Sequence, residues 1–175
     1  MIRPLLIFLY FICSMIIGQQ RMWDSHSAYT LPAKRWSVGI FQPFRYGIND
    51  NLETSFHPGW FFIMPNVSFK VPHSDLGSFK TARRLSLVYP TPILNMLSRE
   101  GIGGLIDPNL TMPPMLGVSG SLLFSKEALG FNVTSKIGID IGLVMGELDK
   151  RSNIDLPLVY HRLEVFHNKW GLHAG

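Results

Sequence analysis

Residues 131–145 read FNVTSKIGIDIGLVM. The odd positions hold Phe131, Val133, Ile137, Ile139, Ile141, Leu143 and Met145, with Ser135 as their one polar member. The even positions hold Asn132, Thr134, Lys136, Gly138, Asp140 and Gly142, with Val144 as their one apolar member. A period of two is that of a β-strand with one apolar and one polar face. In a soluble barrel or sandwich the apolar face meets the core and the polar face meets water. In a membrane barrel the apolar face meets lipid and the polar face lines the interior. The rest of the chain has to choose between these two arrangements.

The same period recurs elsewhere. In WSVGIFQPFRYGI (36–48) the apolar set Trp36, Val38, Ile40, Phe44, Tyr46 and Ile48 is even-numbered, and so is Leu52, Phe56, Trp60, Phe62 and Met64 in LETSFHPGWFFIM (52–64). Asn49, Asp50 and Asn51 between them are turn formers. Matching parity then sets Ile48 opposite Leu52, Phe44 opposite Phe56 and Ile40 opposite Trp60. On the other face Arg45 falls opposite Ser55, Glu53 opposite Gly47, and Arg45 and Glu53 lie on a diagonal.

VSFKV (67–71) and LSLVY (85–89) read as short strands, with residues 72–84 as loop. MLGVSGSLLFS (115–125) keeps Leu116, Val118, Leu122 and Phe124 on even positions. A loop over 127–130 pairs it with the opening stretch. This places Phe124 opposite Val133, Val118 opposite Ile139, Gly117 opposite Asp140 and Ser121 opposite Lys136. The last stretch alternates from Phe166 through Trp170 and Leu172 to Ala174. One segment breaks the period: PTPILNMLSREG (90–101) predicts a short amphipathic helix at 92–99, with Thr91 as N-cap, Pro92 in the first turn and Gly101 as the stop. The Gly- and Pro-rich residues 101–114 read as loop.

Composition bounds the setting. The chain has 175 residues, 12% aromatic and 16% charged, with a formal net charge of +4. This is enough for one domain with a core and too apolar for disorder. Basic residues form no run longer than isolated pairs (Lys34 and Arg35, Arg83 and Arg84, Lys150 and Arg151), which argues against a nucleic-acid partner. Residues 1–18, MIRPLLIFLYFICSMIIG, have the layout of a secretory signal peptide: Arg3, an apolar run from Leu5 to Ile17, then Gly18. The run is short for a transmembrane helix, which needs ~20 apolar residues. Cys13 is the only cysteine, so the mature chain, 19–175, has none. A cysteine-free exported chain fits a bacterial envelope better than a disulfide-stapled secreted domain. The sequons at Asn66, Asn109 and Asn132 then have no role.

The composition of the polar face chooses between the two arrangements. It is full of small residues, Gly39, Gly47, Ser55, Gly59, Gly117, Ser119, Ser121, Gly138 and Gly142, with only scattered charges. A soluble sheet faces water with dense charge; small residues with occasional charges suit the crowded interior of a small membrane barrel. The four long alternating stretches, 36–48, 52–64, 115–125 and 131–145, reach the ~9–11 residues a transmembrane strand needs. Trp36, Tyr46, Trp60 and Trp170 lie towards strand ends, as interfacial aromatics do. The expectation is an all-β, antiparallel up-and-down membrane β-barrel in the cell outer membrane, with the lipid bilayer and the outer-membrane assembly machinery as partners. Six or seven strands are countable, and the chain ends without a terminal aromatic. A barrel incomplete at its C-terminus accounts for both.

Three stretches, LPAKRWSVGIFQPFRYGINDNLETSFHP with FFIMPNVSFK (31–58 and 61–70), YPTPILNMLSREGIGG (89–104) and IDLPLVYHR (154–162), resemble a group of uncharacterised Gram-negative outer-membrane β-barrel proteins. The resemblance implies the same fold and location, and carries over no catalytic or binding residue.

The candidate functional residues are the charges on the polar face: Arg45, Glu53, His57, Lys136 and Asp140. Facing an interior, they would tune the passage of small solutes, as in a pore or transporter component. No cofactor is implied. The rival readings are a soluble secreted lipocalin-like barrel with an apolar ligand, and an outer-membrane lipid hydrolase built on Ser55, His57 and Glu53, spaced two apart on one strand face. His161, His167 and His173 recur every six residues, so neighbours on one strand would stand roughly 20 Å apart, too far to share a metal. GIGG at 101–104 lacks the Lys and Ser or Thr of a phosphate loop.

Overall fold

The structure, a computed structural model, describes residues 25–39, 42–99, 106–110, 112–128, 131–149, 166 and 168–175. The expected signal peptide, GIGG, His161 and His167 lie outside these residues. The strands are β1 (Trp36–Gly39), β2 (Gln42–Asn49), β3 (Leu52–Phe56), β4 (Asn66–Leu76), β5 (Phe79–Val88), β6 (Met115–Ala128), β7 (Phe131–Val144) and β8 (Trp170–Ala174). Among the described residues, short helices α1 (Pro58–Phe61) and α2 (Thr91–Leu97) interrupt them. Among the described residues the strands form one eight-stranded antiparallel sheet in sequence order, with β1 and β8 at its edges and no closure into a barrel.

Through its middle the β2–β3 hairpin has the register parity requires, with Phe44 facing Phe56, Arg45 facing Ser55 and Gly47 facing Glu53, but a bulge near the turn sets Leu52 opposite Asn49 and not the expected Ile48. Three expectations are corrected. Residues 36–48 are not one strand but a hairpin, Trp36 facing Tyr46 and Gly39 facing Gln42, with a bulge between. The bulge restores parity, so alternation alone cannot distinguish the hairpin from a straight strand. The strand expected over 52–64 ends at Phe56; Pro58 has no N–H for a ladder and instead opens α1. Residues 72–84 are not loop: β4 and β5 run on past β3 and turn at Gly77 and Ser78. Gly77 has φ +60, a left-handed conformation that glycine adopts without strain.

The β6–β7 pairing differs from expectation by two residues. The strands run on to Ala128 and Phe131, leaving two residues between them, so Phe124 faces Ser135, Ser119 faces Asp140 and Leu123 faces Lys136. A slip of two preserves every residue's face. The helix near 92–99 is present as α2, displaced by one or two residues.

The register pairs define two neighbouring rows across the sheet, one through all eight strands and one from β2 to β8. One runs Trp36, Tyr46, Thr54, Phe69, Leu85, Gly120, Ile139, Leu172. The row beside it on the opposite face runs Gly47, Glu53, Lys70, Arg84, Ser121, Gly138, His173. The apolar row is the exposed one: Trp36 is 64% exposed, and Ile137, Ile139, Ile141 and Leu143 on β7 are all exposed. On the polar face Glu53 is 1% exposed, Lys70 3% and Arg45 4%. The polar face is therefore the inner one.

At one end of the sheet an apolar cluster gathers Met64, Val88, Ile93, Leu94, Met112 and Met115 with Ile106, Leu110 and Phe166. Thr91, Ile93 and Leu94 are the buried residues of α2, and Ile93 and Leu94 belong to this cluster, so the helix lies on it by one face. Thr91 Oγ1 fixes it to β6 by accepting from Met115 N at 2.8 Å.

Candidate functional site

Residues 25–33 cross the inner face of the sheet. Ser25, Ser27 and Ala28 are buried, and their small side chains let the backbone approach the strands. The segment is held by polar contacts from five strands, β2 among them through Arg45 Nη2, which donates to Tyr29 O at 3.4 Å. Leu31 N donates to Glu53 Oε2 at 2.8 Å on β3, and Ala28 N donates to Ser125 Oγ at 2.8 Å on β6. Lys70 Nζ on β4 donates to the carbonyls of Ser27 at 3.1 Å and Tyr29 at 2.7 Å. Arg84 on β5 reaches Ser25 O at 3.5 Å. Beyond them, Lys34 at φ 62 turns the chain into β1. Lys34 N donates to Gly47 O and Gly47 N to Arg35 O. A side chain on Gly47 would collide with the carbonyls of Leu31 and Pro32, so this close approach requires glycine.

Glu53 is the centre of this site. Arg45 Nε donates to its Oε1 at 2.8 Å and Arg45 Nη2 to its Oε2 at 2.7 Å, a two-point pair. Lys70 Nζ stands 3.5 Å from Oε1. One carboxylate thus balances two buried cations and a backbone N–H. The diagonal of Arg45 and Glu53 expected from parity is realised as this pair. Lys70 follows from the same logic: Val67, Phe69 and Val71 take the outer face of β4, which leaves Lys70 inside.

The other candidates lie apart from it. Asp140 receives His173 Nδ1 at 2.9 Å across β7 and β8. Lys136 faces the buried Leu123 and is itself exposed. His57 is outside β3 and serves as N-cap of α1, so it does not share a strand face with Ser55 as expected. Its Nδ1 is buried without a partner, and no described carboxylate orients it. Glu53 is engaged elsewhere, so Ser55, His57 and Glu53 form no hydrogen-bonded relay among the described residues. No cluster of metal-ligating side chains is present among the described residues.

The inner face carries more positive than negative charge: Arg45, Lys70, Arg84 and Lys136 against Glu53 and Asp140. His26 senses this. Its ring reaches the surface, yet crowding by protein atoms, and then the charges of Arg84, Lys136, Lys70 and Arg45, push its pKa below the ordinary value of 6.5. The sequence treats 19–35 as a polar lead-in, and nothing in its pattern marks 25–33 as an interior segment. The only available signal is the run of small residues at Ser25, Ser27 and Ala28.

Comparison of the chain with protein-family models, curated proteins and solved structures finds no match.

Proposed function

We propose that this chain is a bacterial outer-membrane β-barrel protein, exported by residues 1–18 and seated in the bilayer by the outer row of its sheet. The carrying observation is the pair of neighbouring rows. Trp36, Tyr46, Phe69, Leu85, Ile139 and Leu172 face out where Glu53, Lys70, Arg84 and His173 face in. A soluble barrel, including a lipocalin-like one, would turn the first set to its core and the second to water. Length supports the same reading, since β6 and β7 have 14 residues each against the ~9–11 needed to cross a bilayer. In hydrocarbon the free edges of β1 and β8 need partners, either each other or a further strand.

Within this reading Arg45, Glu53, Lys136 and Asp140 set the charge that a small solute meets in the interior. Segment 25–33 lies across that path, so passage there requires it to move. Cell fractionation followed by flotation with phospholipid vesicles tests the location. The protein should require detergent for extraction, and a single cysteine at Ile139 should be shielded from water-soluble thiol reagents in the vesicles. A chain that stays in solution without detergent, or free labelling at Ile139, overturns the reading.

A further inference from the structure

The outer face carries a notch. On the row Leu85, Gly120, Ile139, Leu172, β6 contributes no side chain. A Cβ at Gly120 would meet only Ile139 Cγ2, at 3.9 Å, an ordinary van der Waals contact, so the gap has room for a small group. It forms a shallow groove of about 450 Å³, walled by Leu122, Ile137, Ile139 and Leu172 and bordered on the β5 side by Arg83.

Arg83 stands at a definite level of the sheet. It faces Leu122, which faces Ile137. One row further along are Thr81, Phe124 and Ser135, and beyond them Lys126 lies 5.5 Å over the Phe79 ring. One row back the face is Leu85, Gly120 and Ile139. Arg83 therefore marks the border where the aliphatic band gives way to polar and aromatic residues. It is exposed and makes no ion pair with another described residue.

We propose that this groove seats one acyl chain of an anionic glycerophospholipid whose headgroup is held by Arg83; the inference rests on the bilayer reading above. A cation at the edge of the hydrocarbon band costs far less than one at its centre. Its planar fork matches phosphate oxygens in a two-point pair. The missing side chain at Gly120 lets the acyl chain lie against backbone just below that charge. Charge complementarity thus names the occupant: a zwitterionic lipid fills the groove as well but brings no net charge to Arg83.

Native mass spectrometry of the full detergent-extracted chain, with phosphatidylglycerol or phosphatidylcholine added, tests this. The chain should retain one phosphatidylglycerol with about fivefold preference, the size expected for one arginine at a membrane surface. Arg83→Gln should erase the preference, Arg83→Lys should keep most of it, and Gly120→Leu should weaken retention of both lipids. Equal retention of the two lipids by the unaltered chain, or a preference that survives Arg83→Gln, overturns the proposal. Should Arg83→Gln fail to fold, loss of the preference in high salt by the unaltered chain supplies the same discrimination, and persistence there overturns it. A chain soluble without detergent is recognised before lipid is added, so failure of the bilayer reading is seen separately.

Discussion

Glu53 holds opposite charges together in a place where none of them can be left alone. Arg45 and Lys70 are each under a twentieth exposed, and Glu53 is the carboxylate between them. Removing one member of a buried pair strands the other's charge, which costs about 3–5 kcal/mol. Glu53→Ala should lower the unfolding free energy by that amount in denaturant titration, and should also open residues 25–33 to protease. A loss under about 1 kcal/mol, the scale of a surface pair, would mean that water reaches the site. His26 gives the segment a dependence on pH. Its pKa is lowered in the folded chain, so the folded state binds fewer protons there than the unfolded one. The stability it contributes is complete above the unfolded value of 6.5 and is lost as pH falls through the folded value. Acidification should loosen 25–33 in hydrogen exchange, and His26→Gln should remove that response; an unchanged response in the variant would assign it elsewhere.

At the scale of elements, Leu94 decides how firmly α2 sits. It is fully buried in the apolar end cluster, and Leu94→Ala should cost about 2–5 kcal/mol, read as a lower denaturation midpoint. The sequence told much about elements wherever a strand has two different faces. The pairing of Phe44 with Phe56 and the meeting of Arg45 with Glu53 follow from parity alone. Parity fails where its assumption fails. Pro72, His73, Ser74 and Asp75 extend β4 beyond the apolar band, where both faces are polar and only the main-chain ladder defines the strand. The reversal between β1 and β2 is hidden because a bulge resets the count. The slip of two in β6–β7 is hidden for the opposite reason: faces survive it, so only the turn length distinguishes the registers.

At the scale of the molecule, the sheet's inside is closed in two ways, by residues 25–33 along its length and by the α2 cluster at one end. Within the bilayer reading, the unaltered chain inserted into planar membranes should conduct less than the Glu53→Ala chain; equal conductance would exonerate the segment as the obstruction. The inner location of 25–33 was not legible, because a short segment of Ser, His and Ala has no period; its place is set by strands far away in the chain. That distance has a consequence for time. Ala28 meets Ser125 across 97 residues, and Lys70 meets Ser27 across 43. Contacts of such separation form only after the intervening chain has paid its loop-closure entropy. Residues 25–33, synthesised before the described strands, are therefore the last to settle, waiting until β3, β4 and β6 have been drawn into one sheet. Its docking marks the end of assembly.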